Sequence, residues 1–277
     1  MSSRSSVLFV ALTLIVAWLL IAVAHNRGTQ HRPPLRVCAD PNNLPYSNDR
    51  AEGFENALAR LIADDLGRDV RYTWWPQRRG FIRTTLRAGV CDVVMGVPAS
   101  FDLTLNTHPY YESSYVFVSR HDRQLDLRSL DDPRLRTLTI GVPLPGQDYA
   151  DVPPVDALVS RHIVANLRGY TLTGDYSQPN PPAALIDAVV NGDVDVAIAW
   201  GPLAGFFATR ASVPLDVTPV AGSDPGLRFA ISVGVRRGNR KLQRRLDETL
   251  ARKASDVDAL LVRYHIPHDA PGGRRRP

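Results

Sequence analysis

Gly89-Val90-Cys91-Asp92-Val93-Val94 and Gly192-Asp193-Val194-Asp195-Val196-Ala197 are two copies of one short unit, and their reading decides the fold. Each follows an apolar-striped segment. One copy runs through Gly96-Val97 to Pro98, the other through Trp200-Gly201 to Pro202. Glycine suits a helix C′ position, where positive φ costs it little. The β-branched run behind it predicts a buried strand, which the proline stops at the start of a loop. Asp92 and Asp195 lie 103 positions apart. A matched helix–glycine–strand unit at that spacing predicts two similar α/β lobes with a cleft between them.

Around the first copy, the pattern predicts a strand over Leu35–Ala39, a helix over Phe54–Leu66 stopped by Gly67, a strand over Val70–Trp75 and a helix over Arg79–Arg87. This β-α-β-α-β order asks for a parallel sheet with right-handed crossovers. Ser113–Arg120 reads as a strand leaving the first lobe. Leu138–Val142, a helix near Val155–Arg161, a strand near Tyr170–Thr173 and a helix near Ala183–Val190 lead to the second copy. Arg228–Val235 reads as a strand returning to the first lobe. One long C-terminal helix then carries Leu242, Leu246 and Leu250, continued by Val257, Leu260, Leu261 and Tyr264. Crossings near Val118–Asp122 and Ala221–Ile231 imply two lobes joined by a two-strand hinge. The expected organisation is an N-terminal export segment (1–24), a linker (25–34), the first part of lobe one (35–120), lobe two (121–222), the return to lobe one with the C-terminal helix (223–268) and a basic tail (269–277).

The chain has 277 residues, enough for a sizeable core, and a net charge of +5. Arg4 and the tail residues Arg274, Arg275 and Arg276 supply four of those charges, so the body implies no basic face for nucleic acid. An uncharged stretch from Val7 to Ala24 ends in Ala22-Val23-Ala24. It reads as a signal peptide cut after Ala24 or as a retained N-terminal anchor, and either places the body outside the cytoplasm. In that oxidising setting Cys38 and Cys91, the only cysteines, are expected to pair if their strands are neighbours; two buried thiols are the alternative.

The order of elements over about 35–266 resembles the type II periplasmic solute-binding proteins, especially the amino-acid-binding branch. The matching pieces include Arg36-Val37-Cys38-Ala39-Asp40-Pro41, Gly53-Phe54-Glu55, Leu86-Arg87-Ala88-Gly89-Val90-Cys91-Asp92 and Leu260-Leu261-Val262-Arg263-Tyr264. A narrower match rests on Cys38-Ala39-Asp40-Pro41-Asn42-Asn43-Leu44-Pro45, Trp75-Pro76-Gln77-Arg78-Arg79-Gly80-Phe81, Cys91-Asp92-Val93-Val94-Met95-Gly96-Val97-Pro98, Pro109-Tyr110-Tyr111-Glu112-Ser113-Ser114-Tyr115-Val116-Phe117 and Trp200-Gly201-Pro202-Leu203-Ala204-Gly205. These look like the quinoprotein-dehydrogenase-associated branch (MxaJ/XoxJ type). That resemblance implies a partner, a PQQ-dependent methanol dehydrogenase with its cytochrome c, and no cofactor of the chain's own. Amino-acid binders of the fold carry an arginine after the third strand and an acid at the end of the second-lobe strand. Residues 98–107 here have no arginine, and Trp200-Gly201-Pro202 has no acid. Burying a zwitterion without those partners costs several kcal/mol, about 2–7 per unpaired polar group.

Trp74, Trp75, Arg78 and Arg79 fall on a strand-to-helix loop that faces the cleft in this architecture, and they are types enriched in binding hot spots. Asp40, Asn42 and Tyr46 occupy the matching loop after the first strand, where turn chemistry is the plainer explanation. Tyr110 and Tyr111 are expected to split, one inward and one to the cleft. Trp200 either closes on Trp75 or packs between lobes. The chain holds no G-x-S-x-G, H-E-x-x-H, Walker A or C-x-x-C motif. Asp131-Asp132 reads as a helix cap. Three readings follow: a non-enzymatic protein that docks to, matures or activates the dehydrogenase, a receptor for a non-zwitterionic solute of an ABC-type uptake system, and a cyclohexadienyl-dehydratase-like enzyme using Asp40 or Glu112.

Overall fold

The computed structural model describes residues 32–144, 152–173, 176–222, 224 and 226–271. The expected export segment, most of the linker and the tail from 272 lie outside the described residues. In the first half, the strands are β1 (Leu35–Ala39), β2 (Asn42–Asn43), β3 (Ser47–Asn48), β4 (Val70–Trp74), β5 (Val93–Pro98), β6 (Leu105–Asn106) and β7 (Tyr111–Arg120). The second half adds β8 (Ile140–Pro143), β9 (Leu167–Tyr170), β10 (Val196–Trp200) and β11 (Leu215–Pro219), and β12 (Arg228–Val235) returns. The α-helices are α1 (Phe54–Leu66), α2 (Phe81–Thr84), α3 (Pro153–Val159), α4 (Ala184–Asn191), α5 (Gly201–Ala208), α6 (Arg240–Arg252) and α7 (Ala254–Arg263).

The main sheet runs β4-β1-β5-β12-β7-β10-β8-β9, with β6 on β12 and β11 on β7. Both flanks have the same plan: three parallel strands with the first in the middle, β4-β1-β5 and β9-β8-β10. The internal repeat is carried in the hydrogen bonds. Asp92 donates its N–H to the Arg36 carbonyl at 2.8 Å and accepts from the Arg36 N–H at 3.2 Å. Asp195 does the same with Thr139, at 2.9 and 2.8 Å. Registers agree as well: Val37 lies beside Val93, and Ile140, 103 positions on, lies beside Val196. The aspartate of the repeat therefore fastens the start of the third strand to the first. Gly192 ends α4 at φ 78°, the left-handed cap its place in the unit predicts.

The halves differ behind that staple. Cys38 and Cys91 form a disulfide across a Cα separation of 5.5 Å, within the hydrophobic cluster of Phe81, Ile82 and Leu86. The equivalent pair is Gly141 and Val194; a Cβ on Gly141 would lie 3.2 Å from the Val194 side chain and 2.9 Å from Leu185. One half closes this corner by a covalent bond, the other by close packing.

The strand runs Val93–Met95 and Val196–Ala199 are buried throughout, as strands covered on both faces must be. Several boundaries differ from expectation. Pro202 opens helix α5 rather than a loop, because a proline in the first helical turn forfeits no hydrogen bond. The helix expected over Arg79–Arg87 is only α2, since Gly80 (φ 88°) precedes it and Thr85 (φ −113°, ψ −83°) breaks it. The strand expected at Tyr170–Thr173 is β9, set earlier by its parallel register with β8. Cys91 precedes β5 rather than starting it. The C-terminal helix is two helices joined at Lys253, which brings Leu246 and Leu250 with Val257, Leu260 and Leu261 onto one core around α1. Asp132 caps a 3-10 turn, accepting from the Arg134 N–H at 3.0 Å.

Opening the disulfide releases a loop of 53 residues. Replacing both cysteines by serine is expected to cost about 4 kcal/mol of unfolding free energy in the chain-entropy account. Denaturant unfolding of the double variant against the oxidised parent checks this, and equal midpoints would refute it.

Candidate functional site

The parallel strands of both flanks point their carboxyl ends at one cavity of about 380 Å³, a size ordinary for a small-molecule site. The loops after β1 and β4 contribute Asn43, Tyr46, Gln77 and Arg78. The second half contributes Pro143 from β8, Leu172 and Thr173 after β9, and Trp200 at the end of β10. Tyr111 and Tyr115 of β7 form the wall between, with Glu55 and Gly96 on the first-half side.

A strap holds the two rims together. Asp40 is 2% exposed and accepts from the Asn42 N–H (2.8 Å), the Gln77 N–H (2.6 Å) and the Tyr176 hydroxyl (3.0 Å to either oxygen). Burial and the neighbouring Asp40 charge push the Tyr176 hydroxyl above its ordinary range. Asn42 donates to the Gln178 carbonyl at 2.9 Å and accepts from the Asn180 N–H at 3.3 Å.

Among known proteins, MoxJ of Methylorubrum extorquens is 29% identical over 246 residues, 84% of this chain and 81% of its own length. The crystal structure of the periplasmic binding protein XoxJ from Methylobacterium extorquens AM1 superposes with a TM-score of 0.71 at 35% identity, covering 85% of this chain and 99% of that one. That of MxaJ from Methlophaga aminisulfidivorans MPT gives 0.70 at 26%, covering 85% and 100%. The family model for bacterial extracellular solute-binding proteins, family 3, matches residues 35–265. The chain belongs to that family, as a MoxJ-type, type II periplasmic binding protein.

In this MoxJ-type protein the residues singled out from sequence fall into three places. Tyr46, Tyr111, Arg78 and Trp200 line the cavity. Asp40 and Asn42 belong to the strap. Trp74 stacks on Tyr72 (4.5 Å) against the first-half core, whereas Trp75 is 42% exposed. Tyr110 packs on Tyr111 at 5.0 Å and buries a hydroxyl with no hydrogen-bond partner. Trp200 meets Tyr115 at 5.3 Å and Phe229 at 5.8 Å, so it packs between the halves. Arg79 faces a second groove, of about 440 Å³, which it shares with Arg78, Arg83 and Arg87. Phe81, Ile82, Phe101 and Leu103 supply that groove's apolar lining, and no Asp or Glu is among its lining residues.

Among the described residues the acid of the cavity is Glu55, neither Asp40 nor Glu112. Glu112 lies 3.7 Å from Arg228 and pairs by backbone with Asp269. Glu55 occupies the first turn of α1, where a carboxylate ordinarily just complements the helix dipole. Here the neighbouring Asn56 makes the cap, accepting from the Gly53 N–H at 3.0 Å. The Glu55 carboxyl instead lies over Gly96, where a Cβ would come within 2.0 Å of its Oε1. Burial pushes it up to about 8. Its place in the Gly53-Phe54-Glu55 motif was the one sequence signal; only the packing of α1 on β5 turns it into the cavity. Tyr115 was legible from strand alternation, since it shares a face with Tyr111.

Glu55 binds its proton more tightly folded than unfolded. Its contribution to stability is present at low pH and is lost as pH rises from about 4.5 to about 8, by up to about 1.4 kcal/mol per unit. Unfolding free energies at pH 5, 6.5 and 8 are expected to show Glu55→Gln gaining on the parent as pH rises; a constant difference would refute this. Tyr176→Phe is expected to speed amide exchange at Asn42 and Gln77 and to enlarge the radius of gyration in solution scattering. Unchanged values in both would remove the strap's role.

Proposed function

We propose that the chain is an exported, non-enzymatic solute-binding-like protein of the periplasm that serves a PQQ-dependent methanol dehydrogenase by docking to it and assisting its maturation or activation. The observation that carries this reading is the groove of Arg78, Arg79, Arg83 and Arg87, with exposed Trp75 two residues before its first lining residue, Gln77. Four guanidinium groups without a carboxylate in their lining form a positive, partly apolar surface suited to an acidic partner surface. Arginine and tryptophan are also the side chains that most often anchor such interfaces. The likeness to MoxJ and MxaJ supports the association, and the N-terminal segment supports export.

A second reading, a receptor for a small solute, is favoured by the preserved cavity between the halves. The dehydratase-like reading loses Asp40 and Glu112 as cavity acids, because each is engaged elsewhere.

Affinity capture from periplasmic extract of methanol-grown cells tests docking. The parent protein is expected to retain the dehydrogenase, with or without its cytochrome c, and to release it as salt screens the arginines. Reversing Arg78, Arg79, Arg83 and Arg87 to glutamate is expected to weaken retention at least about tenfold, one decade being only about 1.4 kcal/mol. Capture that is equal for parent and variant would sink the arginine groove; no capture by either would sink the partnership.

A further inference from the structure

The aromatic cavity between the halves contains a carboxyl group that the docking reading leaves unused. Glu55 makes no side-chain hydrogen bond or ion pair among the described residues, and it lines the cavity with Tyr46, Tyr111, Tyr115 and Trp200. Two other partly or fully buried acids of the described structure are matched: Asp40 by three donors, Asp92 by Arg36 and Arg68. We propose that this cavity binds a small organic cation of the alkylammonium class, with Glu55 as the countercharge and Trp200 and the tyrosines as the cation–π wall.

The geometry selects charge and size together. A carboxylate with no ion-pair partner among the described residues lacks the opposite charge that makes burial tolerable, and a bound cation supplies it. Indole and phenol faces attract an ammonium group by their quadrupoles, tryptophan most strongly. A cavity of about 380 Å³ holds a compact ligand rather than a peptide. Arg78 is the other charge among the described lining residues, and it acts on Tyr176, at the strap.

Protonation gives the site a signature. The groups facing Glu55 are Tyr46 after β2, Tyr72 on β4, and Tyr110 and Tyr111 at the start of β7. Burial raises all four hydroxyls above their ordinary value, with the Glu55 charge adding to it. Between pH 6 and about 8, Glu55 alone changes charge in this set. The empty cavity holds the neutral acid, and an arriving cation expels its proton.

Isothermal titration with choline and butylammonium, against the neutral isostere 3,3-dimethyl-1-butanol, tests the site on the full chain. A cation is expected to bind at least about tenfold more tightly than the neutral isostere and to release close to one proton at pH 7, read from buffers of different ionisation enthalpy. Its affinity is expected to rise nearly tenfold per unit from pH 6 and to level above pH 8. Glu55→Gln, nearly isosteric, is expected to abolish both the preference and the proton release while keeping the parent's cooperative unfolding. Saturable binding of neither cation, equal binding of the neutral isostere, binding without proton release, or an unaffected Glu55→Gln variant would each overturn the proposal. Tighter binding of a zwitterion such as glycine than of either cation would do so too. Glu55→Gln leaves all four arginines of the groove in place, so capture of the dehydrogenase by this variant scores docking separately from cation binding.

Discussion

Between Ser114 and Tyr115, the ten-residue strand β7 exchanges one set of partners for another. Up to Ser114 it pairs with β12, beside the first three-stranded flank; from Tyr115 onward it pairs with β10 and β11 of the second. A single strand cannot shift sideways without losing both ladders. The two halves are thus held in one continuous sheet while their strand ends converge on the same space. The aromatic wall of the cavity, Tyr111 and Tyr115, is the face of β7 at that exchange; Trp200 of β10 packs against Tyr115, and Phe229 of β12 against Trp200. The cavity is a consequence of the shared strand.

Charge is distributed with the same economy. The guanidinium groups gather in an open groove on the first half, where water and salt moderate their mutual repulsion. The carboxyl of Glu55 lines the cavity next door, where desolvation pushes it up to about 8. Two neighbouring sites therefore have opposite charge, guanidinium groups in one lining and a carboxyl group in the other. The strap of Asp40, Asn42 and Tyr176 lies where the rims of the halves meet. An aspartate with two backbone donors and a tyrosine hydroxyl is well satisfied by the protein's own groups.

Much of the fold was readable because the physics involved is local or repeated. The α1 helix shows its 3.6-residue apolar stripe and its glycine stop, and its observed limits are those the pattern predicts. The strand β10 shows an unbroken apolar run, Val196 to Trp200. The unit around Asp92 and Asp195 is legible because each aspartate fastens a neighbouring strand by its backbone, which constrains residue type at both copies. The short helix α2 and the break at Lys253 were not legible, since they answer to what each segment packs against. For the same reason Pro202 read as a stop when it is a helix start: a proline restricts its own φ and not the direction the chain takes next.

The sequence by itself determined two similar α/β halves, two cysteines able to pair if their strands are neighbours, and the aromatic and arginine content of the loops at the strand ends. Periodicity, glycine and proline positions and the 103-residue spacing are properties of the chain alone. Tertiary structure decided which of those side chains share a space. It sent Arg79 to a groove with Arg83 and Arg87, tied Asp40 to Tyr176, and placed Glu55 over Gly96 among tyrosines. Such contacts join residues tens of positions apart through the angle at which a helix meets a sheet, and no local pattern encodes that angle.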